Sequence, residues 1–129
     1  MTDRLLRAAA FARENAHALY SGFKVGAALE DSTGRVHTGC NVENATYGLT
    51  VCAERVALWK AMAEGVRTFR RIAVVTGAEK LTTPCGACRQ LLWEHCGNIE
   101  VILGNLAGEK RITYVADLLP DAFDVKALR

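Results

Sequence analysis

A chain of 129 residues, half of them apolar and 23% charged, is long enough to bury a hydrophobic core without cross-links and fits one domain over residues 1–129. Sixteen Lys and Arg against 14 Asp and Glu leave a net charge of +2, too mild for a nucleic-acid groove, and no stretch approaches the roughly 20 apolar residues that span a bilayer. Five cysteines, an odd number, argue against a disulfide framework and for thiols used in a reducing compartment, so a cytoplasmic location is expected.

Residues 3–19 carry Leu5, Ala9, Ala12, Ala16 and Leu19 near helical spacing and predict an amphipathic helix, with Asp3 in its first turn and Ser21-Gly22 as its stop. The Arg and Ala content of residues 4–13 resembles a transit peptide, but Asp3 and Glu14 break the acid-poor pattern, and a core helix is the better reading. Residues 24–31 read as a strand that turns at Asp31-Ser32-Thr33-Gly34 into a second strand over 35–40, where Val36, Thr38 and Cys40 alternate with Arg35 and His37. After an irregular loop, Cys52 to Glu64 is helical, with Gly65 as terminator. Residues 71–76 are an apolar, β-branched run suited to a buried parallel strand. A helix over 86–96, strands over 100–103 and 110–114, and a short helix over 115–119 closed by Pro120 complete the chain. The order predicts an α/β fold with helices on the faces of a sheet of about five strands.

Two strings carry chemistry: Cys52-Ala53-Glu54 and Pro84-Cys85-Gly86-Ala87-Cys88. Three thiols give a zinc site one position short of closure, open to water, and a carboxylate two residues from the first thiol suits a proton shuttle. This pattern, Glu in the first string and P-C-x-x-C in the second, resembles the signature of the zinc nucleobase deaminases. Both strings lie where a loop enters a helix, where unpaired N–H groups favour thiolate. Cys52 and Glu54 would diverge in mid-helix, so a shared target requires Cys52 in the first turn. Three thiolates on Zn²⁺ leave a charge of −1, and the adjacent Arg55 is the candidate to offset it from outside the ligand shell. Two alternatives stand beside this reading. A redox CxxC would use Cys85 and Cys88, and a closed structural site would recruit Cys40, Cys96 or one of His17, His37 and His95. Neither uses Glu54. Cys40 and Cys96 are otherwise expected as small buried hydrophobes.

Further segments extend the pattern: Tyr20-Ser21-Gly22-Phe23-Lys24-Val25-Gly26-Ala27-Ala28-Leu29, Gly39-Cys40-Asn41-Val42-Glu43-Asn44-Ala45, Cys85-Gly86-Ala87-Cys88-Arg89-Gln90 and Leu118-Leu119-Pro120-Asp121-Ala122-Phe123. With them the chain resembles the small, homotetrameric, zinc-dependent cytidine deaminases from Tyr20 to about Phe123. It departs from their pattern at Leu19, where Pro is usual. The resemblance implies a three-layer α/β/α cytidine deaminase-like fold and one Zn²⁺ per chain on Cys52, Cys85 and Cys88. It implies Glu54 as the proton shuttle that deaminates a small nucleoside, cytidine or deoxycytidine, in pyrimidine salvage, with no nucleic-acid or membrane partner. It also implies Asn41 and Glu43 on the ribose 3′-hydroxyl, Phe23 and the Ala53 backbone near the nucleoside, and Ala45, Tyr47 and Phe123 as contributors to a neighbouring subunit's site. Read without the family, Asn41 and Glu43 are equally turn formers, and Phe123 caps its own core. A deaminase of another cytosine nucleoside, such as blasticidin S, is the alternative; that group keeps the zinc strings but typically lacks the Glu of Asn-x-Glu, present here as Glu43.

Overall fold

The computed structural model describes residues 2–128. Helix α1 (Thr2–Arg13) precedes strands β1 (Val25–Asp31) and β2 (Val36–Cys40), then α2 (Ala53–Ala63), β3 (Phe69–Thr76), α3 (Gly86–Cys96), β4 (Glu100–Asn105), β5 (Lys110–Tyr114) and α4 (Val115–Leu118). The strands form one mixed sheet in the order β2-β1-β3-β4-β5. β1 runs antiparallel to both β2 and β3, β3 is parallel to β4, and β5 returns antiparallel to β4.

Alternate residues of a strand point to opposite faces, and both faces of this sheet are apolar. Ala28, Ala73, Val75 and Ile102 meet Leu5 and Ala9 of α1 on one side. Ala27, Leu29, Val74, Val101 and Leu103 meet Ala57 and Leu58 of α2, Leu92 of α3 and Val115 of α4 on the other. The result is the expected three-layer α/β/α architecture. Two glycines set how closely the layers approach. A Cβ at Gly26 would lie 1.9 Å from the Ala9 carbonyl oxygen, so α1 rests directly on β1. A Cβ at Gly39 would lie 2.5 Å from the Ala53 carbonyl oxygen and 2.6 Å from the Ala57 nitrogen, so the first turns of α2 rest on β2.

The first helix is shorter than its periodicity predicts, ending at Arg13 rather than residue 19. Beyond it His17 forms a parallel bridge with Val42, its N–H donating to the Asn41 carbonyl at 3.0 Å and its carbonyl accepting from Glu43 N–H at 2.8 Å. That pairing outcompetes two further helical turns and leaves Leu19 78% exposed instead of on a core stripe. Gly65 takes φ 93°, as a helix terminator should. Cys40 and Cys96 are half-buried rather than fully buried; Cys96 packs against the α2/α3 core, and burial pushes its thiol up to about 12.

At the β1–β2 turn, Asp31 is buried and fully engaged. Its Oδ1 accepts from Thr33 N–H at 2.8 Å, the Thr33 hydroxyl at 2.6 Å and Arg35 N–H at 3.1 Å, and its Oδ2 lies 2.9 Å from His37 Nε2.

Candidate active site

Cys52 and Cys85 are the N-cap residues of α2 and α3, each in extended conformation, and neither side chain caps its own helix. Their sulfurs turn toward one another instead, 3.8 Å apart, and with Cys88 from the first turn of α3 the three lie within 4.8 Å of one another. A tetrahedral ion bonded to sulfur at about 2.3 Å separates its ligands by about 3.8 Å, so the cluster has the dimensions of a zinc site. Among the described residues no other set of three His, Cys, Asp or Glu side chains converges in this way. The placement of Cys52 at the helix start satisfies the condition that its spacing from Glu54 imposes.

The electrostatics fit a cation. The neighbouring Cys88 thiol, with help from Arg55, lowers the Cys52 thiol to about 5, while Cys52 and burial push Cys88 up. Arg55 Nη2 donates to Cys52 Sγ at 3.5 Å, and its Nε is buried without a partner. Sulfur contacts, led by Cys88, hold the guanidinium firmly charged.

Glu54, one residue inside α2, is 5% exposed and takes no hydrogen bond from another residue among those described. Burial pushes its carboxyl up to about 7. It faces a cavity of about 310 Å³ together with Phe23, Asn41, Glu43, Cys52, Ala53 and Cys85. That volume lies in the range of small-molecule sites. Thr50, Val51, Val74, Thr76, Thr82 and Thr83 complete its wall. A slightly larger groove of about 360 Å³ beside α1 holds no thiol and no buried acid.

A family model for the cytidine and deoxycytidylate deaminase zinc-binding region matches residues 1–104. The chain belongs to that family. A cytidine deaminase of Sporosarcina psychrophila is 47% identical over 127 residues, covering 98% of this chain and 93% of that protein. One from Halalkalibacterium halodurans is 51% identical over 120 residues, covering 92% and 91% respectively. A crystal structure of cytidine deaminase from Burkholderia pseudomallei superposes with a TM-score of 0.92 at 52% identity, covering 95% of this chain and 99% of that one. This chain is therefore a zinc-binding deaminase of that fold, with Cys52, Cys85 and Cys88 as its metal cluster.

Three residues expected at the site lie outside this deaminase's own cavity. Ala45 is exposed, Tyr47 projects from a 3₁₀ turn (Tyr47–Leu49) with its ring edge-on to Tyr20 at 5.8 Å, and Phe123 is 58% exposed. Phe123 does not cap its own core.

Three residues were not legible as site residues in the sequence. Ser21 lines the cavity and bonds Glu43. Arg89 donates to the carbonyls of Pro84 and Leu118, each at 2.7 Å, and to the Thr83 hydroxyl at 2.6 Å, tying the turn before Cys85 to the end of α4. Gln90 Nε2 donates to the Phe123 carbonyl at 2.7 Å. The available signal was position: Arg89 and Gln90 directly follow the ligand Cys88.

Proposed function

We propose that the chain hydrolyses cytidine and deoxycytidine to uridine and deoxyuridine plus ammonia, as a cytoplasmic step of pyrimidine salvage. The observation that carries this is Glu54: a buried carboxylate that takes no hydrogen bond from another described residue, facing the same cavity as the thiol cluster. Zinc held by Cys52, Cys85 and Cys88 would supply Lewis acidity that eases proton loss from water. The residues do the rest. Glu54 accepts a proton from the attacking water, delivers it to ring N3 as the C4–O bond forms, and carries the second proton to the amine as the C4–N bond breaks. A carboxyl near pH 7 suits both directions of transfer. Arg55 offsets the excess negative charge of three thiolates.

Asn41 and Glu43 bind the ribose 3′-hydroxyl, and Phe23 and the Ala53 backbone wall the nucleoside. Asn41 holds that wall in place: its Nδ2 donates to the Phe23 carbonyl and its Oδ1 accepts from Val25 N–H, both at 2.8 Å. Phe123, Ala45 and Tyr47 serve a neighbouring subunit's site, and the chain works as a homotetramer with one Zn²⁺ per subunit. Exposure of the Phe123 and Tyr47 rings supports this reading. No described helix is long and apolar enough to cross a membrane, and all five cysteines are free thiols, consistent with a reducing compartment.

The test is loss of ultraviolet absorbance on cytidine, deoxycytidine, cytosine, CMP and blasticidin S, side by side. The two nucleosides should turn over, with free cytosine, which lacks the 3′-hydroxyl, at least about tenfold poorer, the worth of one charged hydrogen bond. Preferential turnover of blasticidin S would replace this substrate assignment.

A further inference from the structure

Glu43 is buried at the cavity edge, and its carboxylate is mostly committed to its own chain. A carboxylate offers about four acceptor positions. Tyr20 N–H and Ser21 N–H both reach Oε1 at 3.0 Å, and the Ser21 hydroxyl donates to Oε2. The same hydroxyl oxygen accepts from Phe23 N–H at 2.9 Å. Oε1 is thus saturated and Oε2 keeps one free lobe. These donors, the Ser21 hydroxyl foremost, hold the Glu43 carboxyl below the usual carboxylate range.

We propose that Ser21 is a positioning residue that aims the single free acceptor of Glu43 into the cavity and thereby sets selectivity for a sugar with a free 3′-hydroxyl. The inference rests on the reading that Glu43 binds that hydroxyl. Without the Ser21 hydroxyl, Oε2 has two free lobes, both open to water, and the carboxylate is pinned through Oε1 alone. A hydroxyl donor then replaces water at a loosely held group and gains little. The turn itself survives this loss, because the Tyr20 and Ser21 backbone donors to Oε1 remain. What changes is aim.

The experiment measures kcat and KM on cytidine and 3′-deoxycytidine for wild type, Glu43→Ala, Ser21→Ala, Ser21→Thr and Ser21→Val, with zinc content and melting temperature alongside. Wild type should lose at least about tenfold in kcat/KM on the 3′-deoxy compound. Glu43→Ala should discriminate hardly at all. Ser21→Ala should fall to about threefold discrimination through KM, with kcat within about twofold of wild type, while Ser21→Thr restores most of it. Thr and Val are equal in size and differ in the hydroxyl, so their contrast isolates it even if alanine costs stability. Wild type indifferent to the 3′-hydroxyl would remove the reading of Glu43 itself. Discrimination lost in Glu43→Ala but intact in Ser21→Ala, or equal in the Thr and Val variants, would overturn the role of Ser21 alone.

Discussion

The two ends of the β1–β2 hairpin each bury a carboxylate, and the two are built in opposite ways. At the turn, both oxygens of Asp31 are engaged: three donors on Oδ1 and His37 beside Oδ2. At the other end Glu54, in the first turn of the helix that rests on Gly39, is also buried and takes no such bond from another described residue. The consequences diverge. Hydrogen bonds, led by the Thr33 hydroxyl, drive the Asp31 carboxyl far below its ordinary range, whereas desolvation pushes Glu54 up to about 7. A carboxylate held by several donors has a proton affinity too low for neutral pH, so it holds structure. An unsatisfied one beside a cavity is free to exchange protons. Burial alone does not separate a structural acid from a catalytic one; the count of donors does.

The largest effect expected at the open end comes from the ligands. Cys52→Ser, Cys85→Ser and Cys88→Ser should each abolish zinc binding and activity, while Cys40→Ser and Cys96→Ser keep one zinc per chain by elemental analysis. Zinc lost from either of the latter would make the site closed and structural.

Smaller than this, and smaller than the loss expected of Glu54→Gln, is the effect of Phe123→Ala, which should raise KM about tenfold at unchanged zinc content, the worth of one ring stacked on a base. Sedimentation at assay concentrations sharpens this, since a fully active monomer would place Phe123 outside any active site.

The smallest effect on turnover belongs to the closed end. Asp31 is depressed below its unfolded value near 3.8, so its stabilisation is complete above that pH and is lost as pH falls below about 4 toward the folded value. Asp31→Asn should lower the melting temperature at pH 7 and flatten the acid limb, leaving kcat and zinc content at wild-type levels. A large drop in kcat would erase the contrast between the two ends.

Much of this arrangement is legible in the residues themselves. Period-two alternation in 35–40, the turn at Asp31-Ser32-Thr33-Gly34 that pairs it with 24–31, and the β-branched run at 71–76 marked strands because nothing competes with those patterns. Cys52 and Cys85 were placed at helix starts because sharing one ion demands it. Residues 14–19 misled because their helical spacing is local, whereas the His17–Val42 bridge that wins is set by chain twenty-odd residues away. Ser21 and Arg89 were missed for the same reason. Their partners, Glu43 and the Leu118 carbonyl, are distant in sequence, and no spacing rule joins them.

The comparison reduces to whether Glu54 carries protons, and one variant decides it: Glu54→Gln, assayed for cytidine turnover and zinc content on the same sample. It removes the titrating group while keeping size and shape. The account predicts one zinc per chain, a retained fold, and turnover reduced by at least the 10²–10⁴ that general acid–base catalysis typically supplies. A zinc-loaded variant that keeps about a tenth of wild-type turnover, well above that typical loss, would contradict it.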